Sequence, residues 1–301
     1  MKVGVLALRI IKKNIAALDH KRIVTWPPFD TYENRLDIDV DGSGNYFHQI
    51  DVFYAPKEKR TGRTLIHIHG GGYIYGNRKN VFGFATVFLD KGYDVVLLDY
   101  EPNDGHGDVR GQVATLVTEL NYVQDHAEEL GLDPNKFFIS GDSAGGHFAL
   151  LLSEIVANQE LSAQNGVQLN GIRFRAVAAS CPVYNFTRSV QNSPLTAKGK
   201  TYMYGPFFKD EAYLKALNPQ AHVDSLNIPV FVNTCFHDFL KQESFDLKED
   251  LKERGKIFHL EYLDSQDKAI NHVHNIMDIY FEESKKVNAA MDEFFQAALG
   301  E

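Results

Sequence analysis

From Thr64 onward the chain alternates short, continuous apolar runs with helix-period segments, and this pattern constrains the fold more than any other feature. The runs are Thr64 to His69, Asp94 to Asp99, Phe137 to Ser140, Ala176 to Cys181, Val230 to Thr234 and Phe258 to Leu263. Several are apolar on both alternating sets of positions, which suits strands covered on both faces. Between them lie helical patterns over Phe82 to Lys91, Gln112 to Leu130, Ala144 to Asn158, Gln242 to Arg254 and Ile276 to Leu299. Strand, helix, strand order predicts an α/β fold with a mostly parallel central sheet and helices on both faces. Two earlier runs, Arg35 to Val40 and His48 to Tyr54, flank Asp41-Gly42-Ser43-Gly44 and predict an antiparallel hairpin. With 301 residues, 44 % of them hydrophobic, the chain can bury one large core, so residues 1–301 are read as a single domain.

Two stretches depart from the alternation. Residues 183–227 carry Tyr184, Phe186, Tyr202, Tyr204, Phe207, Phe208 and Tyr213 among scattered Pro and Gly, and are read as a cap insertion. Residues 1–20 read as an amphipathic helix, with Leu6, Ile10, Ile11, Ile15 and Leu18 on or near one face. Packing on the body is the first reading of that helix; a flap over the site or membrane-surface binding are the others. No run resembles a signal peptide or reaches the ~20 apolar residues of a membrane span, so stable membrane insertion is not expected. Cys181 and Cys235 are too few for a disulfide scaffold and read as reduced core residues of a cytoplasmic protein. The net charge of -9 argues against nucleic acid as a partner. It leaves a homo-oligomer open.

The chemistry gathers in glycine motifs. Gly141-Asp142-Ser143-Ala144-Gly145 matches G-x-S-x-G and sits between a predicted strand and a predicted helix. There a serine must occupy a strained turn that lifts Oγ from the sheet and faces the helix N-terminus. His69-Gly70-Gly71-Gly72-Tyr73 follows another strand. Bare backbone amides at Gly71 and Gly72, with that of Ala144, are read as an oxyanion hole. Ser143 needs a base and an orienting acid, which in this fold follow it in the order acid, then histidine. Asp238 follows the run ending at Thr234, and a loop containing His272 and His274 follows the last strand. No cluster shows metal-ligand spacing. Tyr73, Tyr184 and Phe239 are candidate substrate contacts.

Together HGGGY, GDSAGG, the Asp238 loop and the late histidine resemble the hormone-sensitive-lipase-like and acetyl-esterase branch of the α/β hydrolases, from about Arg63 to Glu301. The resemblance implies Ser143 as nucleophile, Asp238 as acid and His272 as base, with His274 the second candidate. It also implies oxyanion donors at Gly71, Gly72 and Ala144, and no metal or organic cofactor. The implied reaction is hydrolysis of small, short-acyl esters through an acyl-enzyme. Amide cutting by an arylformamidase or deacetylase is the alternative, and a non-catalytic binding protein on the same fold is a third reading. One departure is Glu101-Pro102-Asn103-Asp104-Gly105-His106, where such esterases usually continue with Arg and a Leu-Ala-Pro-like run.

Overall fold

All eight apolar runs become strands of one sheet. The structure is a computed structural model, and it describes residues 2–300. Helix α1 (Val5–Ile23) precedes strands β1 (Asn34–Asp39), β2 (Gln49–Phe53) and β3 (Thr64–Ile68). Then come α2 (Phe82–Leu89), β4 (Asp94–Leu98), α3 (Val109–Asp125), β5 (Phe137–Asp142), α4 (Ala144–Ala157), α5 (Gln159–Gln164) and β6 (Val177–Ser180). Helices α6 (Phe186–Asn192), α7 (Ala197–Tyr204) and α8 (Glu211–Ala216) lead to β7 (Val230–Cys235). The chain ends with α9 (Lys241–Glu253), β8 (Phe258–Leu263), α10 (His274–Met277) and α11 (Glu282–Leu299).

The strand order is β1-β2-β4-β3-β5-β6-β7-β8. β1 and β2 form the expected antiparallel hairpin, β2 joins β4 antiparallel, and β4 through β8 run parallel. The hairpin turn is held by Asp39, whose carboxylate accepts from the amides of Gly42 and Gly44 at 2.9 and 2.8 Å.

Side chains alternate between two cores even though the runs look uniformly apolar. Ile66, Ile68, Val96 and Leu98 face α3 and α4 through Val113, Leu116, Leu120, Phe148 and Leu151. Leu65, Val95 and Leu97 face α2 and α11 through Phe84, Phe88, Val287, Met291 and Phe295. Covering both faces requires apolar residues on both, which is why the strands lack a polar alternation. The continuous helix expected over Ile276 to Leu299 is instead broken between α10 and α11. Asp278 leaves the helical path there, and its carboxylate takes two hydrogen bonds from Arg22 at 3.0 and 2.8 Å.

Candidate active site

Because β3 through β8 run in one direction, their outgoing loops converge on one edge of the sheet. Ser143 stands at the end of β5 as the residue preceding α4, with φ 53 and ψ -114. A left-handed φ at a non-glycine residue costs about 1–2 kcal/mol, so the neighbours must impose it. Ser143 donates its amide to Ser180 O at 2.8 Å, and Val183 N–H returns to Ser143 O at 3.3 Å. The flanking glycines permit the bend. A Cβ on Gly141 would lie 2.8 Å from Gly146 N, and one on Gly145 would lie 2.5 Å from His69 O.

His272 Nε2 lies 2.9 Å from Ser143 Oγ, and His272 Nδ1 lies 2.6 Å from Asp238 Oδ1. The loops carrying Asp238 and His272 are tied by a parallel bridge between His237 and Asn271. Asp238 also accepts from Thr234 Oγ1 at 2.6 Å and from Leu240 N–H at 2.9 Å. Burial alone would push the Asp238 carboxyl up. The hydrogen bond from His272, its nearby charge and the bonds from Thr234 and Leu240 outweigh burial and hold the carboxyl below its ordinary value. Asp238 therefore stays ionised beside the imidazole, fixing Nδ1–H and leaving Nε2 free to accept from Ser143.

His274 is turned away. It is fully buried, with Nδ1 3.0 Å from Ser284 Oγ, and burial pushes its pKa down to about 4. The two histidines are separated by Val273, which has φ 56 and gives its amide to Cys181 Sγ at 3.4 Å. A left-handed β-branched residue reverses the chain between His272 and His274, sending their side chains to different places. His237 bonds Gln266 O at 3.1 Å, His67 bonds Ser140 Oγ at 2.8 Å, and His147 bonds Leu217 O at 2.7 Å.

Gly71 (φ 123) and Gly72 (φ 59) line the same cavity as Ser143. A Cβ on Gly71 would drive into the Tyr75 carbonyl, 2.6 Å from its carbon, so glycine is required. A Cβ on Gly72 would meet nothing nearer than Met203 Cε at 3.9 Å, so this residue's bare backbone faces open space. Ala144 opens α4, where an N–H has no carbonyl one turn back. The loop is clamped to the Ser143 turn by Asp142, which accepts from Gly70 N–H at 2.9 Å. Behind it, His69 Nε2 lies 3.1 Å from Asp99, and Arg78 donates to the same carboxylate at 2.9 Å. Tyr100 stacks on His69 at 4.2 Å and donates to the carbonyls of His69 and Gly70. None of Asp142, Asp99, Arg78 or Tyr100 was singled out from sequence. An acid inside G-x-S-x-G was the one available signal, since that position must face the neighbouring strand.

The candidate substrate contacts separate. Phe239 is 77 % exposed, packs 4.2 Å from the His272 ring and lines the cavity. Tyr73 and Tyr184 are not brought to it. Tyr73 is buried, with its hydroxyl 3.1 Å from His147 Nδ1, and its carbonyl accepts from Asn103 N–H and Gln112 Nε2. Tyr184 is fully buried and donates to Asp250 at 2.8 Å. Asn103 thus docks the divergent 101–106 loop against the base of the glycine motif. The aromatics of the 183–227 excursion likewise pack inward; Tyr184, Phe186, Tyr204 and Tyr213 join the first core, and Met203 is its contribution to the cavity wall. The outer wall is α1, through Leu8, Ile11, Ile15, Leu18 and Asp19. The cavity encloses about 510 Å³.

Among the described residues, Cys181, Asp238 and His272 bring potential metal-ligand atoms within 4.8 Å of one another. Two of these are already joined by the 2.6 Å bond, and burial pushes the Cys181 thiol well up, away from the thiolate a metal requires. The trio is better suited to holding an imidazole than an ion. Both cysteines are free and buried.

The family model BD-FAE matches residues 50–251, most of the stretch that builds this geometry. The chain belongs to the BD-FAE family. This BD-FAE protein is 26 % identical over 154 residues to human arylacetamide deacetylase-like 2, covering 46 % of this chain and 38 % of that one. It is 27 % identical over 162 residues to the probable carboxylic ester hydrolase LipM of Mycobacterium tuberculosis, covering 52 % and 36 %. The match therefore spans well under half the length of these curated relatives. Among solved structures, an inhibited esterase B of Lactobacillus rhamnosis superposes with a TM-score of 0.89 at 24 % identity, covering 98 % of this chain and 97 % of that one. The BD-FAE chain thus has the α/β-hydrolase fold.

Proposed function

We propose that this protein hydrolyses small carboxylic esters of short acyl chains through a Ser143 acyl-enzyme. The observation that carries this reading is the unbroken relay from Ser143 Oγ to His272 Nε2 at 2.9 Å and from His272 Nδ1 to Asp238 at 2.6 Å. His272 removes the Ser143 proton as Oγ attacks the ester carbonyl, then returns it to the departing alcohol. The amides of Gly71, Gly72 and Ala144 receive the oxyanion, and each such donor is worth about 10²–10³ in rate. Water enters the same relay to release the acid, so no metal or organic cofactor takes part.

A 510 Å³ cavity walled by Leu8, Ile15, Ile74, Val81 and Met277 supports an apolar substrate of modest size. The free, buried cysteines fit a reducing cytoplasm. The same relay can cut amides, and one relative has deacetylase in its name. Fluorophosphonate labelling followed by mass spectrometry is expected to mark Ser143. A panel of aryl esters graded in acyl length, with matched acetanilides, is expected to favour acetyl and butyryl esters. Faster turnover of long-chain esters or of the anilides overturns the substrate assignment; absence of the label overturns the mechanism.

A further inference from the structure

Helix α1 is apolar on two faces. One face, through Leu8, Ile11 and Ile15, walls the catalytic cavity. The other presents Leu6 and Ile10, 73 % and 53 % exposed, to solvent. Six of the thirteen exposed large hydrophobic side chains among the described residues lie on α1 or on Val24, directly after it; Ile11, Ile15 and Leu18 edge the cavity together with Phe239, and Leu6, Ile10 and Val24 lie outside it. Such concentration marks an interaction surface rather than ordinary scatter.

The charge of the helix is opposite to that of the molecule. The whole chain carries 31 Lys or Arg and 40 Asp or Glu, of which residues 2–23 hold six and one, leaving the rest at -14 against a total of -9. The one acid, Asp19, is buried against the body, where it bonds Tyr75. Arg9, Lys13 and Lys21 are exposed; helical spacing puts Lys13 one turn and Lys21 about three turns from Ile10 along the same outer face. The helix is also held in place. Val3 exchanges backbone bonds with Pro194 and Thr196 at 2.8 and 2.9 Å, Arg22 grips Asp278, and Tyr280 Oη donates to Thr25 O at 3.0 Å. No helix of the described residues is long and apolar enough to cross a membrane.

We propose that α1 docks the protein on an anionic lipid surface, with Leu6 and Ile10 at the interface and the cavity mouth held beside it. A basic helix with a convex apolar face suits a headgroup layer, into which lysines extend while aliphatic side chains sink. The cationic flank of the outer face, on a molecule otherwise acidic, is what favours an anionic headgroup layer over a protein groove.

Co-sedimentation of the full chain with vesicles of phosphatidylcholine alone, or of equimolar phosphatidylcholine and phosphatidylglycerol, tests this. Binding is expected on the anionic vesicles and is expected to weaken with salt. Lys13→Gln/Lys21→Gln is expected to weaken it by about thirtyfold, and Leu6→Ser/Ile10→Ser by roughly tenfold or more. Neither pair lines the cavity, so both variants should keep wild-type turnover of a water-soluble aryl acetate. Equal binding by wild type and the Leu6→Ser/Ile10→Ser variant, or no binding by either, overturns the proposal. So does a wild-type dimer that these substitutions dissociate, which would assign the face to a second copy. Vesicle binding needs no turnover, so failure of the ester-hydrolase reading would leave this result standing.

Discussion

Gly145→Ala joins the fold to the chemistry in one methyl group. Gly145 is where α4 crosses the end of β3, and a Cβ there would lie 2.5 Å from His69 O, with Ile68 O closer still. Both obstacles are backbone at the end of a central strand: Ile68 is paired to β4 and β5, and His69 O, the next residue's, is held by Tyr100 Oη, so neither can easily turn aside. Real Cβ contacts essentially never fall below 3.0 Å, so the start of α4 must retreat. Overpacking of this kind costs about 1–3 kcal/mol, and a rigid obstacle puts this site at about 3. For a chain of this size that is a Tm roughly 5 °C or more lower. The same retreat carries Ser143 away from His272, and a displacement of about 1 Å costs about a hundredfold in rate. Thermal unfolding and aryl-acetate kinetics measure the two effects together. Gly146→Ala, whose Cβ would sit 3.1 Å from Pro182 Cβ, should fall between, and Gly107→Ala, with nothing within 4 Å, should match wild type. A Gly145→Ala protein with wild-type Tm and turnover would refute the close-approach argument.

Asp238→Asn keeps the shape but removes the charge facing Nδ1, so kcat is expected to fall about a thousand- to ten-thousandfold with little change in KM, read from steady-state kinetics. His272→Ala should abolish turnover and also lower Tm, because it leaves the buried Asp238 carboxylate without its main partner, whereas His274→Ala should lower Tm, losing roughly 2 kcal/mol from its buried bond to Ser284, and leave the folded fraction active. Glu154 on α4 is fully buried with neither carboxyl oxygen partnered, and burial pushes its pKa well up. A raised folded pKa gives stability that is complete below the unfolded value and lost as pH rises toward the folded one. Glu154→Gln cannot ionise, so its Tm should exceed that of wild type by a margin that widens from mildly acidic to alkaline pH.

Local chemistry made much of this protein readable in one dimension. Strand runs, the hairpin at Asp41 to Gly44 and the Ser143 turn depend on neighbours in the chain, and glycine marks where the backbone must bend or approach closely. The order of strands along the chain likewise places Ser143, Asp238 and the late histidine at one sheet edge, because parallel strands send their loops the same way. What lay beyond reach depends on partners far apart in sequence. Arg22 meets Asp278, Asp142 meets Gly70, and Val3 meets Leu195 only once the sheet has formed. Such contacts broke the last helix and made α1 the outer wall of the cavity instead of the 183–227 excursion, and others of the same kind, His147 with Tyr73 and Asp250 with Tyr184, hold those tyrosines in the core. The left-handed turn at Val273, tied to Cys181, likewise sends His272 toward Ser143 and His274 into the core. An aromatic or a histidine has the same letter whether it packs or faces a cavity, and only burial against distant residues settles which.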